Sequence, residues 1–379
     1  MKITNFKLTL AMLSLCCAFT SCSDDDDDYL DDSNSKVELA RPRAFILNEG
    51  SINMNNAGIE YFNPSKSGDI ISDIYFTQNA QRLGDVGQDM IEYNGYIYVS
   101  VYGSNYLAKL NAAGVQVAAC YFANEPLLQA GIRYIAAEDG YIYASFYGGV
   151  VAKISADDLK VVATLQTTGK NLEGVAIEDD YLYVANSYER VTNPETGKNK
   201  YNYFKEVLVI DLKNFTYKET VTVDSNPNKV AEEDDKIFVV SNDYSQESYV
   251  LQMIEPRNGN KVTRIGYATN FAAGDDMLYM VDSRTDYSSK PYVTTNTFKS
   301  YDIKSGKLNE TSFLKNAPAE LTTASVYAMA VNEDNGDIYI LVTQYSAANG
   351  DVYRFNRDGS FVEKFDCGGQ NPRAMVFFE

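Results

Sequence analysis

From residue 43 onward, apolar and polar positions alternate with period two in short runs, and a tight-turn pair introduces each of six of them. Asn94-Gly95 precedes Tyr96-Ile97-Tyr98-Val99, Asp139-Gly140 precedes Tyr141-Ile142-Tyr143-Ala144, and Asp179-Asp180 precedes Tyr181-Leu182-Tyr183-Val184. Asp234-Asp235 precedes Lys236-Ile237-Phe238-Val239, Asp275-Asp276 precedes Met277-Leu278-Tyr279-Met280, and Asn335-Gly336-Asp337 precedes Ile338-Tyr339-Ile340. Turn chemistry followed by alternation predicts the second strand of a hairpin. A shorter apolar run stands before each turn, at 86–92, 132–137, 172–178, 229–232, 271–273 and 326–332, and two more follow it, as at 105–110 and 115–122. Four antiparallel strands recurring at intervals of roughly 40 to 60 residues describe a propeller blade.

The two ends complete the count. Arg43-Ala44-Phe45-Ile46-Leu47-Asn48 matches a second strand with no first strand before it, and Asn371-Pro372-Arg373-Ala374-Met375-Val376-Phe377 matches a first strand with nothing after it. One blade shared between the termini closes the ring and leaves no sheet edge. The expected fold is therefore all-β, a seven-bladed β-propeller over residues 41–379. No helical period is sustained anywhere.

The N-terminus follows a different pattern. Lys2 and Lys7 flank a charged start, an apolar run extends from Leu8 to Phe19, and Thr20-Ser21-Cys22 ends it. This predicts a signal peptide over residues 1–21, with Cys22 as the lipidated first residue of the mature chain. The run is too short to remain as a membrane-spanning helix. Asp24-Asp25-Asp26-Asp27-Asp28 and the Asp, Ser and Asn residues after them are too acidic to bury apolar surface, so residues 22–40 read as a flexible tether. Such an acidic start also resembles the signal that sends some Gram-negative lipoproteins to the outer face of the outer membrane.

Composition narrows the chemistry. The formal charge of −19, more negative after loss of Lys2 and Lys7, disfavours nucleic acid and anionic membrane surfaces as partners. Histidine and tryptophan are absent, while tyrosine occurs 30 times. A His-dependent triad and a His metal site are thereby excluded. No phosphate loop, nucleophile elbow or calcium-loop spacing is present, so no catalytic residue, resident metal or cofactor is assigned. Cys120 and Cys367 fall on non-adjacent blades, which argues against a disulfide.

Loops joining second to third strands open around the mouth of a propeller channel. They carry Tyr102, Tyr147, Tyr188, Tyr244, Tyr287 and Tyr345 at nearly one position, with Asn53, Asn105 and Asn186 close by. Repeated tyrosines serve either blade packing or a ligand. Alignment of the first strands puts Asp89, Arg133, Gly174, Lys229, Asn270, Tyr327 and Arg373 at one position near the channel. Arg133, Lys229 and Arg373 there either meet a ligand or neutralise carboxylates such as Asp89 and Glu173. Two loops, 188–204 and 284–297, are enlarged and rich in Tyr, Asn, Thr and Lys, as loops reaching for a ligand or partner are.

The repeated Tyr-Ile-Tyr-Val unit, Asn48-Glu49-Gly50, the closing Asn371-Pro372-Arg373-Ala374 and the Cys22 region with its Asp run together resemble the YncE-like surface propeller lipoproteins, and among them the BtuG type. The resemblance covers about residues 40–379. It implies capture of cobalamin (vitamin B12) or another corrinoid outside the cell, without catalysis, and delivery to a BtuB-type TonB-dependent outer-membrane transporter. No contact residue is carried over from that family. Tyr, Asn, Ser and Gln suit a nearly neutral, amide-fringed disc, and without histidine they would bind its periphery rather than replace the lower ligand of cobalt. A surface propeller that binds glycan or protein is the alternative; a hydrolase or lyase is disfavoured by the missing histidine.

Overall fold

The turn pairs take the conformations their chemistry predicts. Asn94 and Gly95 have φ of 52° and 76°, Asp139 and Gly140 49° and 79°, Asp234 and Asp235 50° and 60°, and Asp275 and Asp276 58° and 60°. Positive φ at both central residues matches the right-handed twist of the flanking strands, which is why Asn, Asp and Gly recur here. The Asn335-Gly336 turn is wider, closed by Asn332 N–H to the Asp337 carbonyl at 2.9 Å.

The computed structural model describes residues 30–379 apart from 245, 247, 289 and 346. The expected signal peptide and Cys22 lie outside the described residues. Seven four-stranded antiparallel sheets are present. Blade 1 is built of Gly87–Tyr93, Tyr96–Val101, Tyr106–Leu110 and Gln116–Tyr121. Blade 2 follows with Ile132–Glu138, Tyr141–Phe146, Val150–Ser155 and Val161–Gln166, and blade 3 with Asn171–Glu178, Tyr181–Thr192, Asn199–Asp211 and Thr216–Thr222. Blades 4, 5 and 6 begin at Pro227–Glu233, Asn270–Gly274 and Val326–Val331. The first strand of each blade contacts the first strand of the next, all the way round.

Blade 7 closes the ring. Arg43–Asn48 pairs on one side with Gly58–Phe62 and on the other with Pro372–Phe378, Phe45 opposite Val376 and Ile46 opposite Met375. The Phe45 and Phe378 rings meet edge to face at 6.0 Å. The shared blade is thus as expected from the partial repeats at the two ends.

Burial follows strand position. Tyr106–Leu110 and Ile338–Val342 are buried throughout because neighbouring blades cover both faces, whereas the outer strand Val161–Gln166 alternates half-buried and exposed. The aromatic at the third position after each turn, Tyr98, Tyr143, Tyr183, Phe238, Tyr279 and, after Asp337-Ile338, Tyr339, lies in the core between blades. Tyr98 also bridges blades by donating its hydroxyl to the Ala156 carbonyl at 2.8 Å.

Part of the segment expected as tether is docked. Arg43, 1 % exposed, pairs with Asp32; Asn111 donates to the Ser33 carbonyl at 2.9 Å; and the Tyr61 hydroxyl accepts from Ala40 N–H at 3.1 Å. A buried guanidinium needs a counter-ion, and the acidic segment supplies it. Of the described residues, 31–379 form one compact unit. One short helix, Ile74–Asn79, lies between blades 7 and 1.

Candidate functional site

Most first strands begin with a β-bulge. Gln88 is the extra residue between Gly87 and Asp89, Arg133 and Tyr134 together face Ser145, Glu173 and Gly174 together face Ala185, and Asn228, Tyr327 and Arg373 are extra in blades 4, 6 and 7. Bulges re-aim side chains, and these turn theirs towards the channel. They also correct the alignment made from sequence. Arg133, Tyr327 and Arg373 share one position with Gln88, Glu173 and Asn228, whereas Asp89, Gly174, Lys229 and Asn270 occupy the next.

The channel mouth is a cavity of about 430 Å³ lined by Gln88, Asp89, Tyr134, Lys229, Asn242, Tyr327 and Arg373, among others. Asp89 accepts main-chain N–H bonds from Met90 and Ile135, each at 3.0 Å, and burial pushes its carboxyl pKa up. Arg373 donates to Glu49, to the Gln88 carbonyl at 2.6 Å and to the Tyr134 hydroxyl at 2.7 Å. Arg133 pairs with Glu173 and donates to the Gln88 side chain, its guanidinium 4.9 Å from the Tyr102 ring centre and 4.5 Å from that of Tyr147. Of the three cations, two therefore neutralise carboxylates. Among the described residues Lys229 bonds only neutral oxygens, those of Asn270 and Phe271, and burial lowers its ammonium to about 8.

Beside this cavity the tyrosines form an arc. Edge-to-face contacts run from Tyr102 to Tyr147 at 5.5 Å, to Tyr188 at 6.3 Å and to Tyr201 at 5.7 Å, and a second series joins Tyr203, Tyr244 and Tyr249 at 6.3 and 6.1 Å. Edge-to-face geometry is the preferred arrangement of aromatic quadrupoles. The Tyr147 hydroxyl donates to Glu173 at 2.7 Å, and burial followed by the Glu173 charge raises its pKa, so the phenol stays protonated. A second cavity of about 370 Å³ between Tyr147, Tyr188, Tyr201, Tyr203 and Tyr244 shares Asn228 and Tyr244 with the channel mouth. A third, of about 470 Å³, spreads outward over Tyr102, Lys170 and Arg190.

Four of the six tyrosines expected at the site are thus brought together: Tyr102, Tyr147, Tyr188 and Tyr244. Tyr287 instead pairs with Tyr292 at 5.1 Å, and exposed Tyr345 joins no ring of the arc among the described residues. Asn105 ties blade 1 to the start of blade 2, donating to the Leu128 carbonyl and accepting from Ile132 N–H, both at 3.0 Å. Asn186 is 1 % exposed and bound to Glu206 and Lys170 N–H, and Asn53 lies on an exposed turn with its N–H on Asp85.

Tyr201 and Tyr203 were not singled out from sequence. The region read as an enlarged loop is a continued hairpin, with Tyr188 opposite Tyr203 and Thr192 opposite Asn199. The alternation in Tyr201-Asn202-Tyr203-Phe204 was the available signal. The second enlarged loop is likewise strand as far as Asp286 opposite Val293.

No family model matches the chain, and no curated protein sequence does either. Solved structures do match in shape. A quinoprotein alcohol dehydrogenase-like protein from Bacteroides thetaiotaomicron superposes with a TM-score of 0.58 at 14 % identity, over 88 % of this chain and 77 % of that one. A protein of unknown function from Desulfotomaculum acetoxidans gives 0.58 at 12 %, over 88 % and 98 %, and hydrazine synthase from Kuenenia stuttgartiensis gives 0.55 at 12 %, over 70 % and 74 %. At these identities the likeness is one of fold alone, that of the β-propeller proteins.

Proposed function

We propose that the tyrosine-lined face captures a corrinoid, with cobalamin as the transported ligand, and that the protein is a non-enzymatic lipoprotein of the BtuG type. Lipidation at Cys22 would hold it on the outer-membrane surface, where it would pass its ligand to a BtuB-type TonB-dependent transporter. The observation that carries the reading is the continuous arc from Tyr102 to Tyr201 beside a channel mouth at which two amide atoms stay uncommitted. Gln88 Nε2 and Asn242 Oδ1 both lack a hydrogen-bond partner there among the described residues. One unpaired amide donor and one unpaired amide acceptor suit a ligand fringed with amides, and tyrosine faces suit its broad apolar disc.

Exposed apolar side chains on the same side, including Ile52, Met54, Tyr287, Tyr292 and Val293, favour a protein partner. They are compatible with a transporter and equally support the second reading, a propeller that binds protein rather than a small molecule. Calorimetric titration of cyanocobalamin separates the two. One-to-one binding with red protein after gel filtration supports capture; absence of both heat and colour from folded protein would overturn it.

A further inference from the structure

Arg133 and Arg373 are committed to Glu173 and Glu49, but Lys229 is in no ion pair among the described residues. Lys229 lines the channel cavity, and among the described residues its ammonium donates only to Asn270 Oδ1 at 3.1 Å and to the Phe271 carbonyl. Two further donors line the same cavity. A guanidinium only donates, so the Gln88 amide must turn Oε1 to Arg133. That leaves Nε2, on a side chain 1 % exposed, without an acceptor. The Tyr134 hydroxyl accepts from Arg373, and its own proton has no acceptor among the described residues.

Asp89 does not cancel this arrangement. Both its oxygens accept main-chain N–H bonds, at 3.0 Å from Met90 and 3.0 Å from Ile135, and it makes no ion pair with Lys229 among the described residues. Glu49 is occupied by Arg373 and by the Tyr327 hydroxyl.

We infer that the channel mouth contains an oxyanion subsite, in which the Lys229 ammonium, Gln88 Nε2 and the Tyr134 hydroxyl donate to a phosphate or carboxylate oxygen. Charge-assisted bonds of this kind are the strong ones. The inference rests on this face being the ligand site, but not on the ligand being a corrinoid.

The test is NMR of the protein carrying 13C-labelled, unmodified lysine side chains, the Lys229 Cε signal being assigned by its loss in Lys229→Gln. Inorganic phosphate, dimethyl phosphate and acetate are added separately. Each probe that binds should raise the Lys229 titration midpoint, and Lys229→Gln should weaken its binding at least about tenfold. Tyr134→Phe, which keeps the ring, should weaken it less. Response to free phosphate points to a free ion, response to the diester alone to a phosphate carried by a larger ligand, and response to acetate alone to a carboxylate. An unmoved Lys229 signal with all three, or unchanged affinity in Lys229→Gln, overturns the subsite. Cyanocobalamin is titrated independently, so failure of either reading leaves the other standing.

Discussion

Arg133 and Glu173 form an ion pair across the boundary between blades 2 and 3, Nη2 lying 2.7 Å from Oε2 with the side chains 11 % and 3 % exposed. Glu173 also accepts from the Tyr147 hydroxyl, and Arg133 lies against the Tyr102 and Tyr147 rings. The pair therefore ties three blades together behind one wall of the site.

Removing one partner of a buried pair strands the other charge. Glu173→Gln should lower stability by about 3 kcal/mol, and the double change Arg133→Leu/Glu173→Leu should cost less than the two single Leu changes added together. Urea unfolding of the proteins checks this. Additive losses would mean that the two side chains act separately.

Glu60 provides a pH test away from the site. It is 1 % exposed, and burial raises its carboxyl to about 7 against weaker opposition from hydrogen bonds with Asp73 N–H and Ser72. A pKa raised in the folded state means that the stability contribution is present below the unfolded value near 4.5 and is lost as pH rises through about 7. Glu60→Gln should therefore gain up to about 3 kcal/mol over the parent at pH 8 and little near pH 4. Unfolding midpoints across that range measure the difference; a constant offset would show that Glu60 does not titrate there.

The arc predicts which tyrosines matter to a ligand. Tyr188→Ala or Tyr201→Ala should weaken cyanocobalamin binding roughly tenfold, about 1.4 kcal/mol, with little change in melting temperature because both rings are partly solvated. Tyr345→Ala should leave affinity unchanged. Equal effects at all three positions, read by calorimetry, would move the site off the arc.

Closure predicts the effect of truncation. Deleting residues 372–379 removes the strand paired with Arg43–Asn48 and leaves a long apolar edge. The truncated protein should aggregate or elute as oligomers in gel filtration, whereas Phe45→Ala should remain monomeric and lose about 3–5 kcal/mol. A monomeric, cooperatively unfolding truncation would show that the shared blade is dispensable.

The repeat architecture was legible because it is local. Asn94-Gly95 or Asp234-Asp235 forces a turn whatever surrounds it, and Tyr-Ile-Tyr-Val alternates because a strand has two faces. The partial repeats at the termini told which strands would meet. Four of the site tyrosines were legible for the same reason, since one position in a repeat maps to one place in the ring.

What the sequence left open depends on distances between blades. Whether Arg133, Lys229 and Arg373 face a ligand or a carboxylate turned on residues 40 to more than 300 positions away, Glu173 and Glu49 among them. The bulges that separate Gln88 from Asp89 as channel positions shift register by one residue and carry no mark in composition. The Tyr201 hairpin and the docking of Asp32 on Arg43 likewise required a partner strand and a buried charge to be in place. Local pattern thus determined the fold, and only the closed ring decided which polar groups remained unsatisfied at its mouth.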